Sequence, residues 1–258
     1  MLVDTHCHLY FPDFDRDREE VLQRARAAGV SQLVNVGTDH ATNVASYDLA
    51  SRHDFIFSTA GFHPHYSHVD TETQLDTIEK FVAGHKVCAI GEIGLDYFKS
   101  EAPPAVQKRV FSRMLGLAVE HSLPVVVHSR EAFRDTVDIL KSETRGKIRG
   151  VMHCFSYDQP CLKEILDMGL LVSFTGILTF KNAGGLLEVA KKAPLDGFML
   201  ETDAPYLAPQ AQRGKRNEPA FLKHTVQALS AARGISEEEI EDATSRTAKR
   251  FFNITADS

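Results

Sequence analysis

Short apolar, β-branched segments alternate with longer amphipathic ones along this chain, and no other feature constrains its fold as tightly. Eight segments read as strands: Leu2 to His6, Gln32 to Val36, Phe55 to Ala60, Val87 to Ile93, Pro124 to His128, Gly150 to His153, Leu170 to Phe174 and Gly197 to Glu201. Helical patterns lie between them, such as Arg16 to Ala28, Ala105 to His121, Arg130 to Ser142 and Gly185 to Lys192, and two more follow the last strand, Pro219 to Ala232 and Ser236 to Phe252. Repeated strand and crossover helix is the pattern of a parallel sheet. Eight such repeats predict an α/β fold of the closed (β/α)8 kind, a TIM barrel, with an additional C-terminal helix. The length of 258 residues is usual for one such barrel, so residues 1–258 are expected to form a single domain.

The same pattern places chemistry. His6, His8, Glu92, His128, His153 and Asp203 are all residue types that bind divalent metal, and they fall at or near the ends of the first, fourth, fifth, sixth and eighth strand segments. Side chains at the carboxyl ends of barrel strands face one mouth, so residues remote in sequence meet there. An open doubly wound sheet would instead gather its site at one switch point in the strand order, which explains this spread less well. His6 and His8 are two residues apart and project from the same strand face, able to hold one ion together.

Each of these residues has a duller reading. A lone histidine on a strand is more often a hydrogen-bonded core residue than a ligand, yet Pro124 to His128 and Gly150 to His153 are apolar runs that each finish on His, and a buried imidazole needs a partner. Glu92, among glycines and aliphatics, needs a cation, either a metal pair that it bridges or an arginine. Asp203 is the better ligand and base for a water, whereas Glu201, deeper on the same face, suits a partner that orients a ligand or a structural hydrogen-bonding role. His63, on the Pro-stiffened loop Gly61 to His65, can bind or protonate a phosphate oxygen or ligate metal; His65 has weaker support. Arg130, expected to begin a helix beyond His128, and Arg216, on the polar loop Gln210 to Glu218 with Arg213 and Lys215, suit a hold on phosphate. His40, His53, His68, His85, His121 and His224 have no special claim. Imidazoles and carboxylates without thiolates fit an open catalytic site for Zn2+, Mn2+, iron or Mg2+, not a closed structural zinc site.

Charge and composition narrow the classes further. A formal net charge of −6 argues against coating nucleic acid through a broad basic surface, but two bound cations would still draw a phosphate ester. No apolar run is long enough to span a bilayer. Cys7, Cys88, Cys154 and Cys161 form no CxxC pair, and three of them lie in apolar strand-like runs, which suits reduced thiols. With Met1-Leu2 leading directly into the first ligand pair, a cytoplasmic location is expected. No obligate protein partner is expected.

The segments DTHCH (Asp4 to His8), GFHPH (Gly61 to His65), AIGEIGLD (Ala89 to Asp96), PVVVHSR (Pro124 to Arg130), MHCFS (Met152 to Ser156), ETDAPYLAP (Glu201 to Pro209) and RNEP (Arg216 to Pro219) resemble those of the TatD family of metal-dependent hydrolases. The matches run in order from residue 4 to residue 219. The resemblance implies an amidohydrolase-like TIM barrel with two divalent metal ions (Mg2+, Mn2+ or Zn2+) and deoxyribonuclease activity, often exonucleolytic, on DNA with single-stranded or frayed ends. It implies His6, His8 and Asp203 on one metal, His128 and His153 on the other, and Glu92 bridging where related phosphotriesterase-like barrels carry a carbamylated lysine. Two rivals stand beside it: hydrolysis of an amide, lactone or phosphotriester at the same metals, and a non-catalytic metal-binding module.

Overall fold

The computed structural model describes residues 1–67, 78–82, 84, 86–144, 146 and 148–254. Eight parallel strands run in sequence order around one sheet: β1 (Leu2–Cys7), β2 (Val30–Val36), β3 (Ile56–Ala60), β4 (Val87–Asp96), β5 (Val125–Arg130), β6 (Gly150–Met152), β7 (Leu171–Phe174) and β8 (Phe198–Leu200). Just beyond β8, Asp203 N donates to the His6 carbonyl at 2.8 Å and His8 N to the Ala204 carbonyl at 2.7 Å, which brings the last strand back onto the first. The result is a nearly closed TIM-barrel-like fold with helices between the strands.

The helices are α1 (Arg18–Ala27), α2 (His40–Arg52), α3 (Pro104–Glu120), α4 (Phe133–Thr144), α5 (Gln159–Asp167), α6 (Gly184–Lys192), α7 (Leu222–Arg233) and α8 (Glu237–Phe252), with a helical stretch at 78–82 before β4. The α2 helix starts on a reciprocal cap: the Asp39 carboxylate accepts from Thr42 N while the Thr42 side chain accepts from Asp39 N. The α5 helix is capped by Asp158, which accepts from Cys161 N. His68 and His85 lie outside the described residues.

Strand alternation divides the interior into two sets. Leu33, Ile56, Ile90, Val125, Val127 and Phe198 pack outward with helix residues such as Val21, Leu22, Leu49 and Val110. Val3, Phe57, Val126, Val151 and Met199, each the second residue of its strand, pack together with Ala248, Phe251 and Phe252 of α8 and with Ile254. The terminal helix therefore seals the amino end of the barrel. Along β5, β6 and β8 the next inward positions after Val126, Val151 and Met199 are His128, His153 and Glu201, so the same alternation that fills the floor aims those side chains into the opposite mouth.

Several boundaries differ from the expected ones. β4 continues to Asp96 and β5 to Arg130, three and two residues beyond the expected ends, because Gly94, Leu95 and Asp96 pair with His128, Ser129 and Arg130. Arg130 thus ends a strand and does not begin a helix; α4 starts at Phe133. Gly94 makes the extension feasible: its φ is +140°, and a Cβ there would overlap the His128 carbonyl oxygen.

Candidate metal centre

Glu92 lies at the middle of the mouth. Its Oε1 is 2.9 Å from His128 Nδ1, 3.1 Å from His153 Nε2 and 3.4 Å from His63 Nε2, while Oε2 is 3.4 Å from His6 Nε2. The register shift in the β4–β5 ladder between Ile90 and Ile93 lies where Glu92 leaves the regular pleat. His6 Nε2 and His8 Nε2 are 3.2 Å apart, and Asp203 Oδ1 is 3.7 Å from the first and 3.5 Å from the second. Donors about 2.0–2.1 Å from a shared ion stand roughly 3.0–3.5 Å from one another. Among the described residues three clusters of donor atoms lie at the mouth, each within 4.8 Å: His6, His8 and Asp203; His63, Glu92 and His128; and His6, His153 and Glu201.

The donor chemistry fits divalent metal. Glu92 is buried, and among the described residues neither Glu92 nor Asp203 is paired with a lysine or arginine, so the arginine alternative for Glu92 has no counterpart. Buried carboxylates with only imidazoles around them need positive charge. Burial by itself would raise the Glu92 pKa, but His153, His63 and His128 outweigh it and hold the carboxyl well below its usual range. Asp203 behaves likewise, burial being outweighed by the bond from His8 and the charge of His153. In turn His8, His128 and His153 are raised in spite of burial, by Asp203, by Asp96 with Glu92, and by Glu92 with Glu201 respectively.

The surroundings hold the donors in place. Glu201 Oε1 faces His153 Nδ1 at 3.0 Å and accepts from Cys154 N at 2.7 Å, while Oε2 accepts from the Ser173 hydroxyl at 2.7 Å. His8 Nδ1 is 2.8 Å from the Val36 carbonyl, which turns its Nε2 toward the centre. Two carboxylates of this shell were given no role by the sequence reading. Asp96 Oδ2 lies 3.1 Å from His128 Nε2 and 3.0 Å from His65 Nε2, while its Oδ1 accepts from Phe98 N and Lys99 N. Asp4 Oδ1 accepts from Thr202 N at 2.9 Å and Oδ2 from the Thr202 hydroxyl at 2.6 Å, tying β1 to the segment that presents Asp203. Spacing carried a signal for both, since Glu92, Gly94 and Asp96, like Asp4, His6 and His8, follow the two-residue period of a strand.

His63 comes closer to the centre than a phosphate-contacting loop residue requires, within 3.4 Å of Glu92. Burial, opposed by Glu92 and reinforced by His128, lowers its pKa to about 4, so near neutral pH it is an uncharged ring that donates or ligates and is no store of a proton for transfer. His65 stands at the rim against Asp96. Arg130 is exposed, its guanidinium 4.2 Å over the Phe98 ring. Arg216 is drawn elsewhere: its Nη1 and Nη2 meet Asp17 at 2.8 and 2.7 Å, and its guanidinium sits 4.4 Å over Phe14. Arg213 lies over Phe180 at 4.5 Å and Lys215 donates to Gln212, so the cations of the 210–218 loop are engaged within the fold. Left-handed backbone at the non-glycine residues Glu131, Cys154, Asp203 and Leu207 clusters at this mouth, as strain does at functional sites.

Comparison with known proteins agrees with this geometry. The family profile described as TatD related DNase matches residues 3–253. A Bacillus subtilis protein named uncharacterized metal-dependent hydrolase YabD is 41% identical over 254 residues, covering 98% of this chain and 100% of that protein. An Erwinia tasmaniensis protein named 3'-5' ssDNA/RNA exonuclease TatD is 36% identical over 259 residues, covering 98% and 100%. The crystal structure of YJJV, a TatD homologue from Escherichia coli K12, superposes with a TM-score of 0.93 at 29% identity and 98% coverage of both chains. With its eight-stranded barrel and a carboxylate-centred histidine cluster at the strand ends, the chain belongs to the TatD family of metal-dependent hydrolases.

Proposed function

We propose that this protein hydrolyses phosphodiester bonds at DNA ends, as an exonuclease that takes single-stranded or frayed termini, with two divalent cations (Mg2+, Mn2+ or Zn2+) held around Glu92. The observation that carries the reading is the pairing of two donor clusters across one carboxylate: His6, His8 and Asp203 on the Oε2 side, His128, His153 and His63 on the Oε1 side. Support for the substrate comes from the exonuclease-named relative. Cations bound there would supply an activated water and neutralise the charge that builds on a phosphate during in-line displacement.

The chain's own groups divide the remaining work. Asp203, beside His6 and His8, orients the attacking water and accepts its proton. Glu92 keeps the two donor clusters in register. Glu201 and Asp96 fix the rings of His153 and His128. Neutral His63 donates to a phosphate oxygen or completes the ligand set of the Oε1 side, while His65 and Arg130 at the rim receive the phosphate. Arg216 shares that role only if it leaves Asp17. The four free cysteines accord with a reducing cytoplasm, and among the described residues no helix is long and apolar enough to cross a membrane.

Incubation of purified protein with end-labelled single-stranded DNA and Mg2+ or Mn2+ tests the proposal. It predicts a ladder of successively shortened products that EDTA abolishes. Uncut DNA under every cation, or equal cutting by Asp203→Asn, contradicts it.

A further inference from the structure

Among the described residues three Phe and Tyr side chains stand exposed: Tyr66 at 37%, Phe98 at 54% and Tyr206 at 54%. One exposed ring needs no explanation, but these three share one location. Tyr66 follows β3, Phe98 follows β4 and Tyr206 follows β8, so all stand at the carboxyl mouth where the metal donors converge. Tyr206 is on the His8 side, with ring centroids 6.4 Å apart and the Phe11 ring 5.9 Å from its own. Phe98 is on the His128 side: its backbone N–H binds Asp96, whose other oxygen meets His128. One face of Phe98 lies under the Arg130 guanidinium at 4.2 Å, pairing a cation with a π-surface.

We infer that Phe98 and Tyr206 are base-stacking platforms on opposite sides of the reacting phosphate, so that a strand is selected for the unpaired bases flanking the bond. The inference rests on the phosphodiesterase reading above, which puts a phosphate at Glu92. A ring offers the same face to every base, so this rim discriminates by strandedness and hardly by sequence. Bases within a duplex are stacked on one another and have no face to give. The occupant is therefore a single-stranded nucleic acid end.

Equilibrium binding in EDTA, where nothing is cut, separates this from the activity. The full-length protein is titrated, with fluorescence anisotropy as readout, into a labelled single strand and into the same backbone with abasic terminal positions. Stacking on one ring predicts a preference of about fivefold or more for the strand that carries bases. Phe98→Ala and Tyr206→Ala should each shrink that preference, while Phe98→Trp and Tyr206→Phe keep it and show that the fold survives change at both sites. Equal wild-type affinity for the two strands, or a preference undiminished in both alanine variants, overturns the inference. A protein that prefers bases in this way yet releases no nucleotide with any cation supports the rim and sinks the phosphodiesterase reading alone.

Discussion

Asp96 shows how a residue beyond the ligands can decide whether a site works. Its carboxylate touches His128 and His65 together, and burial, which would raise its pKa, is outweighed by the bonds from His128 and Lys99 N so that it stays ionised. Asp96→Asn removes the charge that orients His128; metal affinity should fall about 10–100-fold in a chelator competition assay, with the fold intact by circular dichroism. An unchanged affinity would show that Asp96 serves only the β4 turn. Protonation gives a second handle. His8, His128 and His153 have raised pKa values, so the metal-free site holds protons to higher pH than free imidazole does, and an incoming cation must expel them. Metal binding should therefore weaken as pH falls and release protons, seen as a buffer-dependent heat in calorimetry; binding independent of pH and buffer would contradict it. Strand periodicity and the family resemblance made the donor set legible. Asp96 escaped because its strand was expected to end at Ile93; His63 was legible as a phosphate contact or a ligand, but a loop gives no period from which to judge its depth.

At the scale of elements, β4 carries the most risk. Gly94 lets it lie against the His128 carbonyl, and any side chain there meets both that atom and a left-handed backbone. Gly94→Ala should destabilise the protein by about 2 kcal/mol or more and displace His128, read as a lower midpoint in urea together with reduced metal binding. Equal midpoints would mean that β4 and β5 separate freely. The 210–218 segment was expected to face the substrate, and its charges instead anchor it: Arg216 to Asp17, and Glu218 to Arg24, whose Nη2 also reaches Asp17. Hydrogen bonding from Arg216, against slight burial and with help from Arg24, lowers the Asp17 pKa from 3.8 to about 2. A depressed acid stabilises above its unfolded pKa and loses that contribution as pH falls through the folded one. Asp17→Asn should thus cost roughly 1 kcal/mol or less at neutral pH, and the gap in melting temperature from wild type should close toward pH 2. Composition showed that this loop is basic; only the positions of α1 and Phe14 reveal where Arg216 goes.

For the whole molecule, the same pleat fills the barrel floor with Val126, Val151 and Met199 and aims His128, His153 and Glu201 at the mouth. Architecture was readable because each βα repeat has to place the next strand beside the last, and alternation then fixes what each strand end presents. Distances were not readable, because they depend on the β4 register shift and on the bonds that lock each ring. Binding to the folded chain alone stabilises it, so Mn2+ should raise the melting temperature of EDTA-stripped protein, with the rise lost in Glu92→Gln. The most direct measurement is anomalous diffraction from Mn2+-soaked crystals. The account predicts two peaks about 3.5–4 Å apart on either side of Glu92, one among His6, His8 and Asp203 and the other beside His128 and His153. Peaks away from Glu92, or none at this mouth, would contradict it.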